Sequence, residues 1–346
     1  MPLKVLVIRF SSIGDIVLTS PVVRCLKLQL DAEIHYLTKK SFSSIATSNP
    51  YITKVWSIEK DPGEVIAALR EERFDCIIDL HKNLRSWRVK RALRTTSYTF
   101  DKLNFEKWLL VNFKVDRLPR IHIVDRYLQA VAPLGIVNDG LGLDYFIPAA
   151  AAIAPADFLP ALAQDRDYFY KNFISKTAVL PYHAVVTGAA HATKCLPEEK
   201  IIELCRQLTL PVVLLGGKAE SAAGDRIAAL SGLHVVNACG KCSLHGSASL
   251  VQQAQKVFTP DTGLMHIAAA LGKEIVSFWG NTVPAFGMYP YYGQGKDLNM
   301  TVEIRGLSCR PCSKIGYEKC PKGHFRCMND IDMRSVVAGV PPDTIP

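Results

Sequence analysis

Lys4-Val5-Leu6-Val7-Ile8-Arg9-Phe10-Ser11-Ser12-Ile13-Gly14-Asp15-Ile16-Val17-Leu18-Thr19 decides how the rest of the chain is read. A short unbroken run of Val, Ile and Leu predicts a strand covered on both faces, the habit of parallel sheets. Ser11, Ser12 and Gly14 then turn the chain into a helix whose apolar positions, Ile16, Val17, Val22, Val23 and Leu26, recur at helical spacing. Pro21 falls within its first turn or so, where a missing N–H is tolerated. Asp15 therefore stands at the carboxyl end of a strand and the start of a helix, where open α/β sheets hold their ligands. It is a candidate catalytic base, or an aspartate that caps the helix.

The same alternation extends outward. Val5 to Phe10, Glu33 to Leu37, Val55 to Ile58 and Cys76 to Leu80 read as strands with helices between them, which predicts βαβ units. A Pro- and Ala-rich stretch from Phe146 to Ala163 interrupts the pattern; Pro148, Pro155, Asp157 and Pro160 break it too often for a membrane span, so it reads as a linker. After a helical segment from Ala163 to Ile174, strands resume at Ala184 to Gly188, Pro211 to Gly217, His234 to Asn237, Val257 to Pro260 and Glu274 to Trp279. A length of 346 residues exceeds one typical core. The expected fold is α/β, with two doubly wound, Rossmann-like domains facing a central cleft, over residues 1–165 and 166–328, and a tail over 329–346. The N-terminus moves directly into a strand holding Arg9, so no signal peptide is expected and the expected location is cytoplasmic.

A net charge of +9 implies an anionic partner or surface, but charge alone does not say which. The stretch His81-Lys82-Asn83-Leu84-Arg85-Ser86-Trp87-Arg88-Val89-Lys90-Arg91 concentrates that charge after a strand; it is a solvated helix face or an anion-binding surface. Cys25, Cys76 and Cys205 fall on apolar faces and read as small core residues. Cys309, Cys312, Cys320 and Cys327, with His324 between the last two, could hold a structural zinc, although the second pair is too widely spaced for the commonest ribbon.

Three clusters after strands of the second half carry candidate chemistry. In Thr259-Pro260-Asp261-Thr262-Gly263-Leu264-Met265-His266, a strand end enters an Ala-rich helix whose first N–H groups can meet an anion, with His266 one turn inside. Caps and a packed histidine are the alternatives. In Thr187-Gly188-Ala189-Ala190-His191-Ala192-Thr193-Lys194, the lysine can neutralise a diphosphate as a compact charge. In Gly216-Gly217-Lys218-Ala219-Glu220, the glycines leave room for a ligand and Glu220 can accept from ribose hydroxyls, or the segment is a plain turn before a helix.

Ser-Ser-Ile-Gly-Asp after the first strand, Lys-Cys-Leu-Pro at 194–197, Gly-Gly-Lys-Ala-Glu at 216–220, Asn-Ala-Cys-Gly-Lys-Cys-Ser-Leu at 237–244 and Pro-Asp-Thr-Gly-Leu-Met-His at 260–266 together resemble glycosyltransferase family 9, which contains the ADP-heptose:lipopolysaccharide heptosyltransferases. The resemblance runs in order to about residue 330. It implies the GT-B fold, with the acceptor on the N-terminal domain, the nucleotide sugar on the C-terminal one, and a final helix able to pack back on the first domain. It also implies an inverting transfer of heptose from ADP-heptose to the inner core of lipopolysaccharide, without a catalytic metal or other required cofactor. Asp15 resembles the base. Thr187, Lys194, Glu220, Asp261, Thr262, Gly263, Leu264 and His266 fall on the donor side; Ser12, Lys82, Arg85 and Arg126 fall on the acceptor side. The partners implied are the nucleotide sugar, a lipid A and inner-core acceptor, and an anionic membrane surface on which the protein is peripheral. Asp165-Arg166-Asp167 and Asp330-Ile331-Asp332 read as solvated helix ends, not metal-binding strings. A sugar-nucleotide epimerase of the same fold and a non-catalytic nucleotide-sugar-binding protein stay open as alternatives. An oxidoreductase lacks its G-x-G-x-x-G, and no nucleic-acid module is present.

Overall fold

The computed structural model describes residues 2–155, 158 and 181–340. Eleven strands are described: β1 (Lys4–Ile8), β2 (Glu33–Lys39), β3 (Lys54–Ile58), β4 (Cys76–Asp79), β5 (Thr96–Thr99), β6 (His183–Val186), β7 (Val212–Leu215), β8 (Val235–Asn237), β9 (Lys256–Pro260), β10 (Glu274–Trp279) and β11 (Asn299–Glu303). The first five form one sheet in the order β3-β2-β1-β4-β5, and the others a second in the order β11-β10-β9-β6-β7-β8. Every pairing is parallel. Counted from its own first strand, each sheet runs 3-2-1-4-5, with a sixth strand on the second, which is the doubly wound order.

β1 explains why the opening run forms a central strand. Val5, Leu6, Val7 and Ile8 are fully buried, each contributing roughly 1.5–3 kcal/mol relative to exposure. β5 and β11 escaped the sequence reading because Thr-Ser-Tyr-Thr and Asn-Met-Thr-Val-Glu carry no apolar run; both are edge strands that do not need one. The single helix expected after β1 is two, Ile13–Val17 and Ser20–Leu30. Pro21 at the start of the second cannot donate into a continuous ladder, and the Thr19 hydroxyl instead donates to the Ile16 carbonyl at 2.7 Å.

The chain falls into two compact units that do not follow the expected limits of 165 and 328: residues 1–106, 118–146 and 287–296 form the first, and 107–117, 147–286 and 297–346 the second. In the first, the return segment is pinned to the helix Ile123–Val131: the Ile123 N–H donates to the Gly287 carbonyl at 2.7 Å and the Tyr291 hydroxyl to Asp125 at 2.9 Å. Gly142, at φ +80°, lets the backbone of Gly293 approach so closely that a Cβ would lie 2.6 Å from its nitrogen. The helix Met333–Val337 packs within the second unit. Met333 and Val336 enter the core of the second unit beside Ile201 and Leu204, and Lys200 donates to the Ile331 carbonyl at 2.7 Å. Asp332 caps that helix, in keeping with a helix-end role; Asp165-Arg166-Asp167 and the helical segment from Ala163 to Ile174 lie outside the described residues.

Candidate active site

In a doubly wound sheet, the crevice opens where strand order reverses, between the first and fourth strands. In the first unit these are β1 and β4, which pair from Val5 with Cys76 to Ile8 with Asp79. Asp15 stands just beyond β1. Ser12 is the N-cap of Ile13–Val17, and Asp15 is the third helical residue, reaching back in a capping box: its Oδ2 accepts from the Ser12 N–H at 3.1 Å and the Ser12 hydroxyl at 2.9 Å. Its Oδ1 meets the Arg9 guanidinium at 2.7 Å. Three of roughly four acceptor positions are thus engaged, and the side chain keeps 19% of its surface exposed. Burial opposes its ionisation, but Arg9 and the two Ser12 donors outweigh that and hold the carboxyl at about 2.

Arg9 is the residue sequence reasoning passed over. It is 8% exposed and donates to the Ser11 carbonyl, the Leu80 carbonyl and the Tyr127 hydroxyl, tying β1, the end of β4 and the helix Ile123–Val131 to the one carboxylate. A charged residue at the end of an apolar strand was the available signal. His81, beyond β4, packs edge-on to Phe10 at 5.2 Å; burial and the nearby Arg9 and Lys102 charges keep its imidazole neutral, at about 4. Its Nδ1 has no hydrogen-bond partner among the described residues. Buried Asp79 shapes this loop, accepting from the N–H groups of His81 and Lys82, the Ser86 hydroxyl and the Lys90 ammonium.

Of the acceptor-side residues, Ser12 orients Asp15, and Lys82 is exposed with its ammonium 3.7 Å from Asp101. Arg85 is exposed in the first turn of Leu84–Leu93. Arg126 is 4% exposed, against the Gly287 turn, and donates at 3.4 Å to the carbonyl of Asp101, whose carboxylate faces Lys82.

In the second unit the reversal lies between β6 and β9, which pair from His183 with Lys256 to Val185 with Phe258. The Lys194 ammonium and the Asp261 carboxylate meet there at 2.6 Å, and the Thr282 hydroxyl donates to the same Asp261 oxygen at 3.0 Å. Thr262 is the N-cap of Gly263–Ala270 and makes no side-chain cap bond, so this helix start lacks the side-chain acceptor that commonly occupies it. Thr262, Gly263 and Leu264 are partly exposed; His266, one turn inside the helix, is 2% exposed. Thr187 is buried at the end of β6, donating to the Leu215 carbonyl at 3.3 Å. Glu220 accepts from the Gly217 N–H at 2.7 Å and lies against Gly188, where a Cβ would come within 2.6 Å of its carboxyl carbon.

Two further residues of this edge were not legible in the sequence. Asn281 is 1% exposed, and neither polar atom of its side chain has a partner among the described residues. Arg310, from the Cys309-to-Cys312 turn, donates to the Gly280, Ile304 and Thr282 carbonyls and to Glu303, buttressing the loop that holds Asp261. That gives the cysteine segment a structural task. All four of its cysteines are free, and Cys327 is a core residue whose thiol burial pushes up to about 12. Tetrahedral zinc needs sulfurs about 3.8 Å apart. Among the described residues the trio of donors within 4.8 Å of one another is Glu33, His35 and Glu72; the four cysteines lie near enough for Cys309, Cys312 and Cys320 all to act on the Cys327 thiol, and the Cys309 Sγ lies 4.0 Å from the His324 Nε2. Lys4 bonds both glutamates of that trio, and His35 has both ring nitrogens engaged.

Two parallel doubly wound α/β units define the class as GT-B-type. A sequence model described as Glycosyltransferase family 9 (heptosyltransferase) matches residues 63–315, and the chain belongs to that family. Lipopolysaccharide heptosyltransferase 1 of Campylobacter coli is 23% identical over 300 residues, 81% of this chain and 84% of that one. The structure of E. coli ADP-heptose lps heptosyltransferase II superposes with a TM-score of 0.69 at 20% identity, covering 97% of both chains. E. coli heptosyltransferase WaaC with ADP gives 0.64 at 20% identity, covering 97% of this chain and 98% of that one. The chain is a glycosyltransferase, which answers the choice left open among enzyme classes.

Proposed function

We propose that this glycosyltransferase moves a heptose from ADP-heptose to the inner core of lipopolysaccharide, with inversion, binding the acceptor on the first domain and the donor on the second. The acceptor hydroxyl attacks the anomeric carbon, the bond to the diphosphate breaks with its electron pair leaving on ADP, and the proton passes to Asp15. A carboxyl held at about 2 suits this order of events. Once the attacking oxygen has bonded to carbon it is an oxonium, far more acidic than any carboxylic acid, so the base acts late and need not be strong.

The observation that carries the reading is the Lys194 and Asp261 pair beside the uncapped start of Gly263–Ala270. An ammonium and open N–H groups stabilise charge where the leaving diphosphate develops it. Asp261 does not itself suit an anion; it holds Lys194 and Thr282 in place, while Glu220 takes the ribose. The names of the relatives support ADP-heptose and a lipopolysaccharide acceptor. No helix among the described residues is long and apolar enough to cross a membrane. The net charge of +9 supports work at the cytoplasmic, anionic membrane surface where such an acceptor resides.

Thermal unfolding with a panel of nucleotide sugars tests the donor. ADP and ADP-heptose raise Tm, since a ligand at 100 times its Kd adds about 2.7 kcal/mol to the native state. A shift with uridine diphosphate sugars and none with ADP-heptose contradicts the assignment.

A further inference from the structure

The basic stretch after β4 does not all serve the carboxyl edge of the sheet. Leu84–Leu93 begins there and runs back along the sheet, burying Ser86 and Val89. Leu84, Trp87, Arg88 and Arg91 recur at helical spacing on its outer face; Leu84 is 72% and Trp87 49% exposed. Between this helix and its neighbour Gly63–Glu71 lies a groove of about 730 Å³ lined by Ile66, Arg70, Trp87, Arg88, Arg91, Ala92 and Arg94. Four guanidinium groups line it and no carboxylate does. The Arg91 guanidinium lies 5.3 Å from the centre of the Trp87 ring, and Arg70 donates to the Ala92 carbonyl at 3.1 Å, so the groove is partly pre-shaped. Arg88 has an acidic partner in Asp61, outside the lining.

We propose that this groove docks the first domain on anionic lipid, its arginines binding phosphate groups of the lipid headgroups while Leu84 and Trp87 enter the headgroup layer. The proposal rests on the membrane-surface reading above and names the surface responsible. Guanidinium forks match phosphate oxygens two at a time, and tryptophan favours the boundary between water and acyl chain. A helix with its apolar and basic residues mingled on the exposed face, and small or aliphatic residues beneath, suits an interface better than open solvent.

The test is cosedimentation with vesicles of phosphatidylglycerol or phosphatidylcholine, for the intact chain and for Arg91→Glu/Arg94→Glu. Both arginines are exposed, and an unchanged Tm shows that the variant is folded. The intact chain binds phosphatidylglycerol, weakens as salt rises, and leaves phosphatidylcholine in solution. The double variant loses at least tenfold in partition yet transfers to a delipidated, soluble acceptor within twofold of the intact chain. Trp87→Ser lowers partition severalfold without touching the charge. Undiminished vesicle binding by the double variant overturns the groove while leaving the membrane reading standing. If the intact chain ignores phosphatidylglycerol at low salt, both fall. Binding of inorganic pyrophosphate that the double variant abolishes, with no vesicle binding, makes this a small-anion site and also overturns the proposal.

Discussion

Asp15 draws its properties from Arg9. A carboxylate at a strand-to-helix turn is common as a cap, and the capping box shows that Asp15 does this work with one oxygen. The other oxygen faces a buried guanidinium, and the pair lowers the carboxyl from its ordinary 3.8 to about 2. Because the folded value is depressed, the stabilisation is complete above the ordinary value and is lost as pH falls from about 4 toward 2. Asp15→Asn is therefore expected to cost about 2 kcal/mol in urea unfolding at pH 7, with the gap to the intact chain closing below pH 4. A constant gap down to pH 2 would contradict the ion pair. Replacing Arg9 by Met leaves only the two Ser12 donors against burial, so the acid limb of kcat/KM moves to higher pH; an unmoved limb would show that Arg9 does not tune the base. The position of Asp15 was legible because a turn residue's place follows from local pattern. Its partner was not, since nothing in a strand's alternation says where a terminal arginine will find its acceptors.

The donor side proposed here draws one group from each of several elements. In the proposed donor site, Lys194 comes from the segment after β6, Asp261 from the end of β9, Thr282 from beyond β10 and the first N–H groups from Gly263–Ala270. Lys194→Ala is expected to raise the donor Kd at least tenfold in calorimetry, and Asp261→Asn to weaken it less, since the lysine then keeps its charge and loses only its orientation. An equal Kd in Lys194→Ala would remove the lysine from the site. Gly188→Ala places a methyl group 2.6 Å from the Glu220 carboxyl carbon, so Glu220 must move; donor Kd should rise severalfold with little loss of Tm. Sequence motifs marked these turns because Gly, Thr and Asp gather at strand ends. Arg310 was hidden because its role comes from bonds to segments distant in sequence.

At the scale of the molecule, alternation of apolar runs revealed two doubly wound sheets, since buried parallel strands write themselves as unbroken Val, Ile and Leu. The polar edge strands β5 and β11 did not, nor did the return of residues 287–296 to the first unit, which depends on His122, Asp125 and Gly142 meeting a distant segment. The leaving diphosphate is neutralised by Lys194 and a helix start on this account, so transfer is expected to keep at least half its rate in excess EDTA; abolition of turnover that magnesium restores would contradict it. If the Asp15 carboxylate takes the acceptor's proton, Asp15→Asn separates binding from chemistry when ADP-heptose affinity and single-turnover transfer are measured on the same folded preparation. A donor Kd within twofold of the intact chain and a transfer rate lower by about 10²–10⁴ are expected; transfer within threefold of the intact rate would show that Asp15 is not the base.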